Sequence, residues 1–148
     1  MRDKILVVDD DPAARRILTL LLQGSGEILE ASNGADALRL IEAERPRIMI
    51  LDMTMPGMSG LDVLKALRAS GATLLILVLT GLEDIELAKR ALELGAKEYI
   101  TKPFELPRLK EKVLSCLTAA PKAGSKTGGL PWRQAPSSLG PLRPDSGT

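Results

Sequence analysis

Five short apolar runs, each followed by a segment with helical periodicity, constrain the fold of this chain more than any other sequence feature. Continuously apolar runs are typical of strands that are buried on both faces, as in parallel sheets. We predict strands at 4–9, 27–32, 47–52, 73–80 and 97–101, and helices at 12–23, 35–44, 60–70, 83–94 and 105–120. This alternation predicts an α/β fold in which helices cover both faces of an open, doubly wound parallel sheet.

Local signals mark several helix ends. Asp11 before Pro12 is typical of an N-cap followed by proline at the first helical position. Gly71 suits the left-handed conformation that ends many helices. Thr80 and Glu83 match the S/T-x-x-E capping box, which makes Thr80 a candidate N-cap for the fourth helix.

The composition excludes several classes of function. The 148 residues include no histidine, which rules out histidine metal sites, Ser–His or Cys–His catalysis, and a role as phosphohistidine donor. The single cysteine, Cys116, cannot form an internal disulfide and suits a reducing compartment. No apolar run approaches the roughly 20 residues that span a bilayer, and acidic residues near the N-terminus argue against a secretory signal. We therefore expect a cytoplasmic protein without membrane association.

Composition and charge change near residue 120. Residues 1–120 carry 16 Lys/Arg and 18 Asp/Glu, so this part lacks the basic surface of a nucleic-acid-binding domain. Residues 121–148 contain 5 Pro, 5 Gly and 4 Ser and show no periodicity. We predict one domain over 1–120 and a disordered Pro/Gly/Ser-rich tail or linker over 121–148.

Polar residues stand where four of the predicted strands end. Asp9 and Asp10 close the first strand, Asp52 ends the third, Thr80 ends the fourth and Lys102 follows the fifth. The carboxyl ends of parallel strands share one edge, which is where ligands bind in open α/β sheets. Three neighbouring carboxylates repel one another unless a cation lies among them, and Mg²⁺ suits such oxygen ligands. Together with a lysine and a hydroxyl for an anion, this set favours phosphoryl transfer to a carboxylate.

Each of these residues also has an ordinary structural explanation. Asp52 alone could cap a turn, Lys102 alone could be a solvated surface lysine, and Tyr99 alone could be a half-buried aromatic residue of a strand. Their joint placement at one sheet edge is what favours a functional site.

Four motifs, in this order, resemble the receiver domain of two-component response regulators over roughly residues 3–120. They are ILVVDDDPAAR, ILDMTMPGMSG, LVLTG and YITKPF. The resemblance implies a flavodoxin-like sheet of order 2-1-3-4-5 and a single-domain architecture of the chemotaxis type. It also implies a cis peptide bond between Lys102 and Pro103.

The resemblance assigns chemical roles to the predicted site. Asp52 would be the phosphoacceptor, receiving the phosphoryl group from a histidine kinase or a histidine phosphotransfer protein. Asp10, Asp52 and the backbone carbonyl of Thr54 would ligate Mg²⁺, with Asp9 acting through water. Lys102 would contact Asp52 and then the phosphoryl oxygens. The chain would be a signalling module with self-phosphorylation and self-dephosphorylation only, rather than an enzyme for an external substrate.

The resemblance further implies a conformational switch. Thr80 would move to the phosphoryl group and Tyr99 would swing inward, which changes the surface of the fourth helix, fifth strand and fifth helix. That surface would bind a downstream protein target, and a phosphorylation-dependent homodimer is compatible with it. An alternative for Thr80 alone is that it caps its helix at rest and leaves the cap on phosphorylation.

Three other interpretations stay open at this stage. The chain could be the N-terminal receiver of a longer multidomain regulator, with residues 121–148 beginning a linker. It could be a receiver-like docking module that never takes phosphate. It could also be a phosphatase of the haloacid-dehalogenase type, but such enzymes place a second acid two residues after the nucleophile, where this chain has Thr54.

Overall fold

The computed structural model describes residues 3–55 and 57–119, which form a five-stranded sheet flanked by five α-helices. The strands are β1 (Lys4–Val8), β2 (Glu27–Ala31), β3 (Ile48–Asp52), β4 (Leu75–Gly81) and β5 (Glu98–Lys102). The helices are α1 (Pro12–Leu22), α2 (Gly34–Glu44), α3 (Gly60–Ser70), α4 (Ile85–Glu93) and α5 (Leu106–Ala119), and a 3₁₀ turn, Leu82–Asp84, precedes α4. All neighbouring strands are parallel, in the order β2-β1-β3-β4-β5, which confirms the predicted fold. The predicted tail, 121–148, lies outside the described residues.

The sheet separates two hydrophobic cores because successive side chains of a strand point to opposite faces. On β3, Met49 and Leu51 pack towards α2, α3 and α4, whereas Ile48 and Ile50 pack towards α1 and α5. All four side chains are fully buried. Burial on both faces explains why the central strands are continuously apolar in the sequence.

Two of the predicted helix ends are confirmed. The side chain of Asp11 accepts a hydrogen bond from the N–H of Ala13 at 3.0 Å, so Asp11 caps α1 with Pro12 at its start. Gly71 ends α3 with φ +76°, a left-handed conformation that costs glycine little.

The predicted capping box of Thr80 and Glu83 is wrong. Strand β4 continues to Gly81, which pairs in register with Lys102, so Thr80 belongs to the sheet. Gly81 is the N-cap of the 3₁₀ turn and provides no side-chain bond. The Thr80 hydroxyl instead donates a long hydrogen bond of 3.4 Å to the carbonyl oxygen of Asp84. The proposal that Thr80 caps its helix at rest fails for the same reason.

The amino-terminal edge of the sheet is held by ion pairs. Arg47, which precedes β3, donates from Nη1 to both carboxylate oxygens of Asp3 at 3.0 Å and from Nη2 to the Leu117 carbonyl at 2.7 Å. Lys4 Nζ lies 2.7 Å from Glu44 Oε1. These contacts tie the end of α5 and the end of α2 to the sheet.

The described part of the chain contains no helix that is both long enough and apolar enough to cross a membrane. Cys116 is a free, buried residue of the α5 core face, packed with Leu109, Val113 and Leu117. Burial raises the pKa of its thiol above the ordinary value, which disfavours the reactive thiolate.

Candidate functional site

Three carboxylates meet at the carboxyl edge of the sheet. Asp9 and Asp10 follow β1, and Asp52 ends β3, the strand next to β1. One carboxylate oxygen from each residue lies within 4.8 Å of the others. Asp9 and Asp52 are buried, at 2% and 4% exposure, whereas Asp10 is exposed. The structure therefore brings together the three acids that the sequence places at strand ends.

Asp52 has two hydrogen-bond donors on one oxygen. Lys102 Nζ, at the end of β5, lies 3.2 Å from Asp52 Oδ1. The backbone N–H of Thr54 donates to the same oxygen at 3.2 Å. Among the described residues, both bonds go to Oδ1, so Oδ2 is the carboxylate oxygen left for a metal or an electrophile.

Asp9 is held in an environment that disfavours its charge. Burial, reinforced by the negative charges of Asp52 and Asp10, raises its pKa from 3.8 to about 6. The N–H of Asp11 donates to Asp9 Oδ1 at 2.9 Å and, with Lys102, offsets part of this rise. Two buried carboxylates beside one lysine thus leave uncompensated negative charge.

The donor set fits a hard divalent cation. All three groups are carboxylates, which Mg²⁺ and similar ions prefer, and the exposed Asp10 leaves one side open to water ligands. A cation there would offset the repulsion from Asp52 and Asp10, which adds to the rise in the Asp9 pKa that burial causes. These three residues could hold a metal ion.

Contacts that were not predicted from the sequence hold the end of the loop between β3 and α3. Ser59 and Asp62 form a capping box at the start of α3, with the Ser59 hydroxyl accepting from the Asp62 N–H at 3.3 Å and the Asp62 carboxylate accepting from the Ser59 N–H at 3.1 Å. A Cβ at Gly60 would lie 2.8 Å from the Cα of Met53. The sequence signal was present as S-x-x-D before the third helix.

Thr80 and Tyr99 lie on the same face of the sheet. Val78 pairs with Tyr99 and Thr80 pairs with Thr101, so these four side chains project to one side. Thr80 is completely buried, whereas Tyr99 is 37% exposed. The two predicted switch residues are therefore diagonal neighbours on adjacent strands, with the tyrosine turned outward.

A surface cleft of about 550 Å³ lies along β5 and α5. Leu92 of α4, Tyr99, Phe104 and Arg108 line it, together with Lys112 and other residues of these elements. Lys112 Nζ is 2.7 Å from Glu98 Oε1, and both residues line the cleft. Pro103 also lines the cleft, and the peptide bond between Lys102 and Pro103 is cis, as predicted.

Comparisons with known proteins agree with this geometry. Residues 5–114 match the family model described as the response regulator receiver domain. Sporulation initiation phosphotransferase F of Bacillus subtilis is 32% identical over 114 residues, which are 76% of this chain and 92% of that protein. Response regulator MprA of Mycobacterium ulcerans is 40% identical over 118 residues, 79% of this chain and 51% of that protein. The chain thus spans about half the length of several curated relatives, including the probable transcriptional regulator ycf27 of Porphyridium aerugineum at 52%.

Solved structures with the same fold include a response regulator receiver domain protein from Clostridium thermocellum, with a TM-score of 0.72, 31% identity and coverage of 78% of this chain and 94% of that one. A putative response regulator from Chloroflexus aurantiacus has a TM-score of 0.73 and 36% identity, covering 80% of this chain and 99% of that one. The family match covers well over half of the chain, and the site residues lie inside it. The chain belongs to the family of response regulator receiver domains.

Proposed function

We propose that this chain is a phosphorylation-controlled signalling module in which Asp52 accepts a phosphoryl group from a histidine kinase or a histidine phosphotransfer protein. The observation that carries the proposal is the pairing of Lys102 Nζ with Asp52 Oδ1 at 3.2 Å, beside the carboxylates of Asp9 and Asp10. A nucleophilic carboxylate, a cation site and a fixed positive charge are the parts that phosphoryl transfer to aspartate needs.

The residues support a direct displacement at phosphorus. An oxygen of Asp52 forms the new P–O bond while the bond to the donor nitrogen breaks, and that nitrogen keeps the bonding pair. Asp52 needs no general base because it attacks as a carboxylate. Lys102 then pairs with the phosphoryl oxygens instead of with Asp52 Oδ1.

Mg²⁺ is the cation that we propose for the acidic cluster. Asp10, Asp52 and the Thr54 carbonyl would ligate it and Asp9 would hold it through water, in agreement with the oxygen-rich donor set. When bound, it supplies positive charge to the oxygens of the transferring phosphoryl group.

The response is proposed to pass through Thr80 and Tyr99. The Thr80 hydroxyl would leave its long bond to Asp84 and bind a phosphoryl oxygen, and Tyr99 would move from its half-exposed position into the space released. The cleft beside Tyr99 changes shape when the ring moves, since Tyr99 lines it. The surface of α4, β5 and α5 is therefore the proposed contact for a downstream protein or for a second phosphorylated copy.

Intact-mass spectrometry after incubation with acetyl phosphate and Mg²⁺ tests the proposal. We expect one added phosphoryl group on the wild-type chain, and none on Asp52→Asn or after omission of Mg²⁺. Asp36→Asn, a carboxylate on α2, is the matched control and should be phosphorylated normally.

If the wild-type chain gains no phosphoryl group, a beryllofluoride titration followed by NMR separates two explanations. Spectral changes at Thr80 and Tyr99 would indicate rapid hydrolysis of the aspartyl phosphate. An unchanged spectrum would contradict the proposal and favour a docking module that works without phosphate.

A second candidate is that the chain is the receiver part of a longer regulator. The match covers only about half the length of MprA and of ycf27, so the matched region is one part of those proteins. This observation favours a longer regulator. Residues 121–148 would then be a linker to an output domain. Sequencing of the complete transcript and mass determination of the native protein would show whether the receiver stands alone or belongs to a longer regulator.

We propose that the chain catalyses only its own phosphorylation and dephosphorylation and that it does not act as an enzyme on an external substrate. We also propose a cytoplasmic location, which the single unpaired cysteine supports. Neither nucleic acid nor a membrane is a proposed partner of residues 1–120, whose charge is nearly balanced.

A further inference from the structure

Arg15 reaches back from α1 to the end of β1. Its Nη1 donates to the carbonyl oxygen of Asp9 at 2.7 Å, and its Nε donates to Glu30 Oε1 of β2 at 3.2 Å. The side chain is only 19% exposed. One guanidinium group thus joins three elements next to the acidic cluster.

Asp9 is fixed at each of its polar groups. Its N–H donates to the Ala31 carbonyl at 3.1 Å, and its Oδ1 accepts from the Asp11 N–H at 2.9 Å. The bond from Arg15 holds the remaining backbone group, the carbonyl, where β1 has already ended at Val8. That carbonyl belongs to the peptide bond between Asp9 and Asp10, so its orientation directs both carboxylates.

We infer that Arg15 is a positioning residue for the cation site: it fixes the Asp9–Asp10 peptide so that both carboxylates face Asp52. This inference rests on the proposed function, since it assumes that the cluster binds Mg²⁺. Residues that orient metal ligands commonly change metal affinity by about 10- to 100-fold when they are replaced.

Charge alone gives the opposite expectation. Arg15 is a cation close to a cation site, and removing it should strengthen Mg²⁺ binding through weaker repulsion. Its ion pair with Glu30 already offsets part of that repulsion. The sign of the change in affinity therefore distinguishes positioning from simple electrostatics.

The test is isothermal titration of the full chain with MgCl₂. Arg15→Gln should raise the Mg²⁺ dissociation constant about 10-fold. Arg15→Lys, which keeps the charge and can donate one bond to the Asp9 carbonyl, should lie between the wild type and Arg15→Gln. Arg16→Gln removes the same charge from the adjacent, exposed position and should leave the constant unchanged or slightly lower.

Circular dichroism melts of each variant accompany the titrations. If Arg15→Gln does not fold, Arg15→Met decides, because it also removes the donor to the Asp9 carbonyl, and equal or tighter Mg²⁺ binding by that folded variant would overturn the inference. Equal or tighter Mg²⁺ binding by folded Arg15→Gln would overturn it as well. Absence of Mg²⁺ binding by the wild-type chain would instead contradict the proposed cation site itself.

Discussion

Replacement of Asp9 by asparagine is expected to stabilise the metal-free protein at neutral pH. The substitution keeps the shape of a side chain that is 2% exposed and removes its charge. The asparagine oxygen can still accept the hydrogen bond that the Asp11 N–H gives to Oδ1. The main change is therefore electrostatic.

The magnitude follows from the pKa of Asp9. Folding raises this pKa from 3.8 to about 6, mainly through burial. One pKa unit corresponds to about 1.36 kcal/mol, so the ionised group costs the folded state at most about 3 kcal/mol at pH 7.5. We expect Asp9→Asn to raise the free energy of unfolding by about 1–3 kcal/mol, with a melting temperature several degrees higher.

The difference between variant and wild type should depend on pH in a defined direction. Below pH 3.8 Asp9 is protonated in both the folded and the unfolded state, so the two proteins should be equally stable. Between pH 3.8 and about 6 the unfolded wild type ionises while its folded state retains the proton, and wild-type stability falls relative to the variant. Above this window the difference should be constant.

Urea denaturation in EDTA between pH 3.5 and 8 measures this difference, with Glu42→Gln, on the exposed face of α2, as the control. Addition of saturating Mg²⁺ should reduce the advantage of the variant, because the wild type gains more from binding. Equal stability of Asp9→Asn and wild type at pH 7.5 in EDTA would refute the reasoning. So would a difference that does not grow between pH 4 and 6.

Two further substitutions test the packing around the site and at the opposite edge, both by urea denaturation. Gly60→Ala should lower the free energy of unfolding by about 1–3 kcal/mol, because its Cβ would lie 2.8 Å from the Met53 Cα. An unchanged urea midpoint would contradict this expectation and show that the loop after β3 moves to make room for the methyl group. Arg47→Met should lower the free energy of unfolding by about 1–3 kcal/mol, since the partly exposed Asp3 carboxylate and the Leu117 carbonyl lose the donors of Arg47. A loss below about 0.5 kcal/mol would contradict this account of the amino-terminal edge.

The positions of the strands were predictable where burial decides them. β3 is apolar on both faces, and the predicted 47–52 differs from the observed Ile48–Asp52 by one residue. β4 was predicted to begin at 73 but begins at Leu75. Leu74 is buried at 2% exposure without being part of the strand, so hydrophobicity alone could not mark the point where pairing begins.

The capping box at Thr80 failed because a distant contact overrode a local motif. Pairing of Gly81 with Lys102 keeps this segment extended, and the sequence near Thr80 holds no sign of it. The gathering of Asp9, Asp52 and Lys102 was predictable, since parallel strands end at a common edge. Which oxygen of Asp52 the lysine binds depends on the path of β5 and could not be predicted. The chemical roles of these residues stay predictions.

The two edges of the sheet differ in the way their polar groups are balanced. At the amino-terminal edge, opposite charges pair, as in Arg47 with Asp3 and Lys4 with Glu44. At the carboxyl edge, Asp9 and Asp52 are buried beside one lysine, and Asp9 resists ionisation mainly because it is buried and also because Asp52 and Asp10 are negative. Buried carboxylates without balancing positive charge destabilise the folded state, and proteins keep such groups where they bind a ligand. Binding of a cation there stabilises the folded state. A cation held by Asp9, Asp10 and Asp52 would therefore add its binding free energy to the stability of the folded chain.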